Sequence, residues 1–256
     1  MGQVETSMNT IIASGEFGFN ELRFTLSAVH KLTEKMGYKS LDLDFSNLRK
    51  VNAPDILPLC AHVRGKLHEG VDTTLTLPEE PKLKRLFENT NWAYILDPRS
   101  FSKSERDSNV HLPAMIYKNG EEQHQAVERI LEILLKSLKD VTRAQLSALE
   151  WSVNEITDNV LNHSDSDIGV IVQATSRKKG EIVEFVVCDS GRGIPTTLKE
   201  THQISSDSEA LDRAIREGIT RNKNTNMGNG LYGSYRTAQV SEGAFIIYSG
   251  YASLKF

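Results

Sequence analysis

The sequence predicts an α/β protein in two parts, a small βαβ-type sheet unit followed by a larger α+β unit. Three observations carry this. Strand-like and helix-like apolar patterns alternate from residue 8 to about 97, the order that produces a mainly parallel sheet with covering helices. A polar, serine-rich stretch without apolar periodicity then fills 98–110 and marks a linker. Beyond it, residues 111–256 carry two amphipathic helices, a β-hairpin and a glycine-rich helix start.

Composition bounds the function. The 256 residues suffice for one large domain or two ordinary ones, and 39% apolar with 25% charged residues is a globular balance. A net charge of −4, with no concentration of Lys and Arg, argues against a dedicated nucleic-acid binder. Cys60 and Cys188 lie in apolar runs, where a reduced, buried thiol is expected. No apolar run approaches the roughly 18 residues of a membrane span, and Met1 to Ser7 lacks a signal-peptide pattern. The expectation is a cytoplasmic protein with no membrane partner.

In the first part, Thr10 to Ala13 reads as a strand, and Asn20 to Met36 as a helix with Leu22, Leu26, Val29 and Leu32 on its apolar side. Ser40 to Phe45 is a strand, Pro54 to Leu67 a helix, and Val71 to Leu77 a strand stopped by Pro78. Lys82 to Phe87 begins another helix. So small a unit is expected to lean on a partner or on the next domain. The stretch Leu41 to Asp55 resembles the strand–loop–helix of STAS domains, the fold of anti-sigma-factor antagonists. In that family a serine opening the helix is the phosphorylation site. The corresponding positions here are Asn52, Ala53, Pro54 and Asp55, none with a hydroxyl. The resemblance implies a STAS-like domain over 8–97 that engages a protein partner, with the family's phosphoacceptor missing.

In the second part, His111 to Tyr117 reads as an edge strand and Glu121 to Leu138 as an amphipathic helix. Thr142 is placed to cap the next helix, whose apolar stripe is Leu149, Val153, Ile156 and Val160. Glu155, Asn159 and His163 recur at four-residue steps and stack on another face. A carboxylate can accept a proton, and a carboxamide oxygen is a hard ligand of the kind Mg²⁺ prefers. Two strands, Ile168 to Ala174 and Ile182 to Cys188, form the hairpin. The second ends in Asp189, Gly191 and Gly193, where glycines let backbone approach a ligand beside a carboxylate. Residues 196–227 read as mobile and polar apart from a helix from Asp207 to Glu217. Gly228, Gly230 and Gly233 match the dinucleotide fingerprint, but a long Asn- and Lys-rich loop precedes them where a strand is required. What remains is a helix start able to hold a phosphate, with the helix running to about Val240.

The order of these three sites resembles the GHKL (Bergerat) ATP-binding fold of gyrase, MutL, histidine kinases and anti-sigma-factor kinases. The resemblance covers Glu121 to the C-terminus and implies ATP and Mg²⁺ as ligands. By it, Asn159 would ligate Mg²⁺ and Glu155 would activate the attacking water or hydroxyl. Asp189 would accept from the adenine amino group, with Gly191 and Gly193 packed on the base. Gly228, Gly230 and Leu231 would end a lid and cradle the phosphates, with His163 nearer the phosphate end. Thr220, Arg221 and Lys223 lie in that lid, its two cations within reach of the β- or γ-phosphate. Histidine kinases of this fold usually carry Asn where this chain has Glu155, and His124 on the preceding helix lacks the flanking residues of a phosphoacceptor box. The family also continues with further strands, whereas here Tyr251 to Phe256 stops where the partner of Ala244 to Gly250 begins. The expectation is a sandwich truncated at its C-terminus or completed by another subunit. Three functions compete: a slow ATPase acting as a nucleotide-gated switch, with a homodimer or partner as its output; a Ser/Thr kinase acting on a STAS-type partner; and a catalytically silent ATP-binding module.

Overall fold

The computed structural model describes residues 2–105, 108, 110–137, 142–177, 182–216 and 230–256. The fold is mixed α/β, with open sheets. The first sheet is built on strand β2 (Thr10–Phe17), which buries Ile11, Ala13 and Phe17. A two-residue turn at Met8 and Asn9 pairs it antiparallel with β1 (Gln3–Ser7). On its other side, β3 (Ser40–Asp44) runs parallel to the first half of β2, and β5 (Asp72–Thr76) runs parallel to β3. The last part of β2 pairs with β4 (Leu48–Val51) after a register shift at Gly15, whose φ of 72° suits only glycine readily.

Two of these strands are absent from the sequence reading for physical reasons. An edge strand such as β1 buries no side chain fully, so it leaves no apolar alternation. The buried ends of β4 are three residues apart, off the strand period.

Helix α1 (Phe19–His30) continues through a wider π turn over Lys31–Lys35. Glu21 caps its start, accepting from the Gly18 N–H at 3.1 Å. Helix α2 (Ala53–His68) carries Pro54 in its first turn, where no backbone donor is lost to the ladder. Helices α3 (Pro81–Asn89) and α4 (Trp92–Leu96) close the unit, with the Trp92 ring edge-on to Phe87 at 5.3 Å.

The second sheet is antiparallel, in the order β6 (His111–Tyr117), β7 (Val170–Arg177), β8 (Ile182–Asp189). One face packs on α5 (Gly120–Ser137) and α6 (Arg143–His163), enclosing Val127, Ile130, Leu134, Val153, Val170 and Val172. The other face packs on α2, so Ile171 and Ala114 belong to the same core as Ile56 and Cys60. Polar bonds cross this junction too. Trp92 Nε1 donates to Gln173 Oε1 at 2.7 Å, and Asn91 Nδ2 to the Ala114 carbonyl at 3.0 Å, both buried. Cys60 on α2 and Cys188 on β8 are free thiols whose pKa burial pushes up.

The remaining elements are α7 (Gly193–Lys199), α8 (Asp207–Ala214), α9 (Gly230–Val240) and the hairpin β9 (Ile246–Ser249)–β10 (Ala252–Lys255). Two expectations need correction here. Helix α7 occupies the start of the stretch read as mobile, because Pro195 falls in its first turn, where proline is compatible with a helix. Tyr251 to Phe256 supplies a paired strand, β10, since the tight turn at Gly250, φ 59°, folds it back on β9. Among the described residues no helix is long and apolar enough to cross a membrane.

Candidate functional site

Helix α6 is the spine of the site. Its start is fixed by a capping box: Gln145 N–H donates to Thr142 Oγ1 at 3.2 Å, and Thr142 N–H to Gln145 Oε1 at 2.9 Å. Val153 and Thr157 point into the core, where the Tyr117 hydroxyl donates to the Thr157 carbonyl at 2.8 Å. That anchoring sets the helix rotation and leaves Trp151, Glu155, Asn159 and His163, at four-residue steps, on a different, partly open side.

Helix α9 lies on that side. A Cβ on Gly230 would stand 2.5 Å from Glu155 Oε2 and 2.7 Å from Asn159 Nδ2. One turn on, a Cβ on Gly233 would stand 2.2 Å from the Trp151 ring. The glycines of the fingerprint thus have a second role that spacing alone does not reveal: two of them let α9 approach the polar face of α6. Trp151 is the neighbour of α9 to which the sequence reading gave no role, although it sits one helical step before Glu155. Ser234 Oγ closes the first turn of α9 by donating to the Gly230 carbonyl at 2.9 Å.

The other end of α6 meets the end of β8. Asp189 Oδ1 accepts from the Gly191 N–H at 2.7 Å, and Arg192 N–H donates to the Ser164 carbonyl at 2.8 Å. A Cβ on Gly191 would lie 1.9 Å from that carbonyl oxygen, so only glycine fits. Gly193, at φ 72°, turns the chain into α7, and Ile194 N–H donates to Ser249 Oγ at 2.8 Å. Gly193 therefore serves the packing of α7 against β9.

Leu231 packs with Leu198, Ala210 and Ala214 of α7 and α8. His163 is half-buried in the last turn of α6. Thr220, Arg221, Lys223 and Gly228 lie outside the described residues. The structure therefore brings Glu155, Asn159 and Gly230 together, and joins Asp189 and Gly191 to the end of the same helix. From Glu155 to Ser164 the axis rises about 14 Å at roughly 1.5 Å per residue.

Burial raises the Glu155 pKa above the ordinary carboxylate range, and the neighbouring Asp158 carboxylate raises it further. Burial likewise raises that of Asp189, against the hydrogen bond from Gly191, which lowers it. A carboxylate held above its usual pKa is a stronger proton acceptor. The donor set and the side-chain-free cradle suit a phosphate ligand with a hard cation: a carboxamide and a carboxylate face a glycine at the start of an eleven-residue helix. No family model, no curated protein and no solved structure matches the chain.

Proposed function

We infer that the α6–β8–α9 face binds Mg-ATP and that the protein hydrolyses it slowly, as a nucleotide-gated switch resembling the GHKL class. The observation that carries this reading is the seating of Gly230 against Glu155 and Asn159, residues some seventy positions apart that the motif order had linked. In this reading Asn159 offers its amide oxygen to the cation, and the N-terminus of α9 directs backbone N–H groups at the phosphates. Asp189 accepts from the adenine amino group, while Gly191 keeps that strand end against α6. Glu155 takes the proton of the attacking water, a role its burial favours. Bound Mg-ATP supplies the activated phosphoryl group and a cation that offsets its charge.

Trp151 offers a direct test, because its ring touches α9 while the other tryptophan, Trp92, is buried in the shared core. Mg-ATP is expected to change Trp151 emission saturably, and Trp151→Phe to abolish the signal. Asn159→Ala should remove the Mg²⁺ dependence, and Glu155→Gln should keep binding but stop phosphate release. No response to millimolar Mg-ATP in emission or in calorimetry would refute the reading.

The kinase alternative has one observation in its favour. The start of α2, which corresponds to a STAS phosphoacceptor, has no hydroxyl and is engaged by its own chain, with Arg177 Nη1 donating to Asn52 Oδ1 at 3.2 Å. A phosphoacceptor would then lie on a separate STAS-type partner. Transfer of the γ-phosphate to such a protein, in place of release to water, would select the kinase. Binding without either outcome would select the silent module.

A further inference from the structure

Strand β8 presents different neighbours on its two faces. Val183, Phe185 and Val187 pack toward α5 and α6, whereas Val186 and Cys188 pack into the core that contains α2. Strand alternation carries this one step further: Asp189 follows onto the α6 side, and Ser190 onto the side of α2. The contact is close. A Cβ placed on Gly65 of α2 would stand 3.0 Å from both Cβ and Oγ of Ser190.

Gly65 lies inside a sixteen-residue helix, where glycine is less favourable than alanine by about 1 kcal/mol. A methyl there would require Ser190 to give way by a few tenths of an ångström. The helix is held at its other end as well, where Asn52 accepts from Arg177, itself paired with Glu184 on β8 at 2.9 Å. From Asn52 to Gly65 the helix rises about 20 Å, and from Glu184 to Ser190 the strand extends about 20 Å. Helix α2 is thus clamped along β8 at matching lengths.

Ser190 has little room to yield. The next residue, Gly191, is pressed on the Ser164 carbonyl, and the Ser190 N–H donates to Ser166 Oγ at 3.4 Å. Pressure from α2 on Ser190 is therefore passed to the Asp189–Gly191 turn and not absorbed.

The geometry points to Gly65 as a positioning residue for Asp189: close packing of α2 on Ser190 sets the place of the base-reading carboxylate, and couples the first sheet to nucleotide occupancy. This rests on the Mg-ATP reading above. Coupling of this kind is reciprocal, so an event that shifts α2 changes nucleotide affinity, and nucleotide changes the seating of α2.

The test uses the full chain and two nucleotides, ATP and inosine triphosphate, which has a carbonyl in place of the amino group that Asp189 would read. Affinities are measured by isothermal titration for the wild type, Gly65→Ala, Ser190→Gly and the double variant. Gly65→Ala is expected to weaken ATP about ten-fold while leaving inosine triphosphate unchanged, so that the preference for ATP collapses. The double variant should restore the preference, since the methyl on residue 65 then fills the space left by the Ser190 side chain and re-forms the contact of α2 with the turn. Ser190→Gly alone, which overpacks nothing, should also loosen the preference, and it decides the matter if Gly65→Ala does not fold.

An unchanged ATP preference in Gly65→Ala, or in Ser190→Gly where the former is unfolded, overturns the positioning role and leaves nucleotide binding intact. Equal weakening of both nucleotides makes the contact merely structural and overturns it too. Absence of any nucleotide binding in the wild type removes the Mg-ATP reading and the positioning role together.

Discussion

A single hydrogen in place of a methyl group decides the contacts around α6, and it does so differently at each glycine. At Gly191 the obstacle is backbone, the Ser164 carbonyl. Gly191→Ala is therefore expected to destabilise the fold by about 1–3 kcal/mol or more, seen as a lower denaturation midpoint. At Gly230 the obstacles are the mobile ends of Glu155 and Asn159. Gly230→Ala should leave the midpoint nearly unchanged, since alanine also favours the helix, while Mg-ATP binding is lost. Normal nucleotide binding in Gly230→Ala would detach that glycine from the site. The electrostatics of Glu155 give a pH prediction. Its pKa is raised, so the proton-accepting form develops only above the ordinary glutamate range, and turnover rises with pH through that point. Asp158 contributes to the rise as a like charge, so Asp158→Asn should move the acid limb of kcat to lower pH. A limb that stays in place would mean another group titrates.

Among the elements, the legible ones are those whose burial pattern is regular. The periods of α5 and α6 are plain in the sequence because each buries one continuous face, the β7–β8 hairpin reads as apolar runs because both its faces are covered, and Thr142 marks the α6 cap. Elements β1, β4, α4 and α7 are short, and the strands among them bury little or off-period. Helix α2 is different again. It is buried on several sides, which apolar content announces but periodicity does not explain, because two sheets cover it. Its pairing with α1 carries a pH liability. Burial, and then the Lys66 charge, hold the His62 imidazole down at about 4, with its Nε2 buried and unpartnered. An unfolded histidine takes up its proton near 6.5. Stability should therefore be full above about pH 6.5 and fall as pH drops toward 4, by up to ~3 kcal/mol. Urea denaturation across that range checks it, and His62→Gln should flatten the slope. An unchanged slope would place the liability elsewhere.

At the scale of the whole molecule, the two sheets share one buried core through α2, and Trp92 on one side is bonded to Gln173 on the other. Unfolding is accordingly expected to be a single transition, with Trp92 fluorescence and far-ultraviolet dichroism coinciding. Two separated transitions would contradict the shared core. Gln173→Leu leaves the indole N–H without an acceptor and should lower stability by about 1–3 kcal/mol, while the transition remains single.

The division between sequence and structure follows from what each kind of signal encodes. Local periodicity and side-chain chemistry determined α5, α6, α8, α9 and the β7–β8 hairpin, but not the short α7. They also placed Glu155, Asn159 and Asp189 in order along the chain, and identified the backbone positions that need glycine. Only the tertiary structure decided what those glycines face, Gly230 and Gly233 on α6 and Gly191 on Ser164, and it alone shows that Gly65, which no sequence motif marks, faces Ser190. It also decided that the far face of the hairpin is covered by a helix from the first part of the chain. Such contacts join residues distant in sequence, and a spacing rule along one segment carries no record of which segment will pack on it.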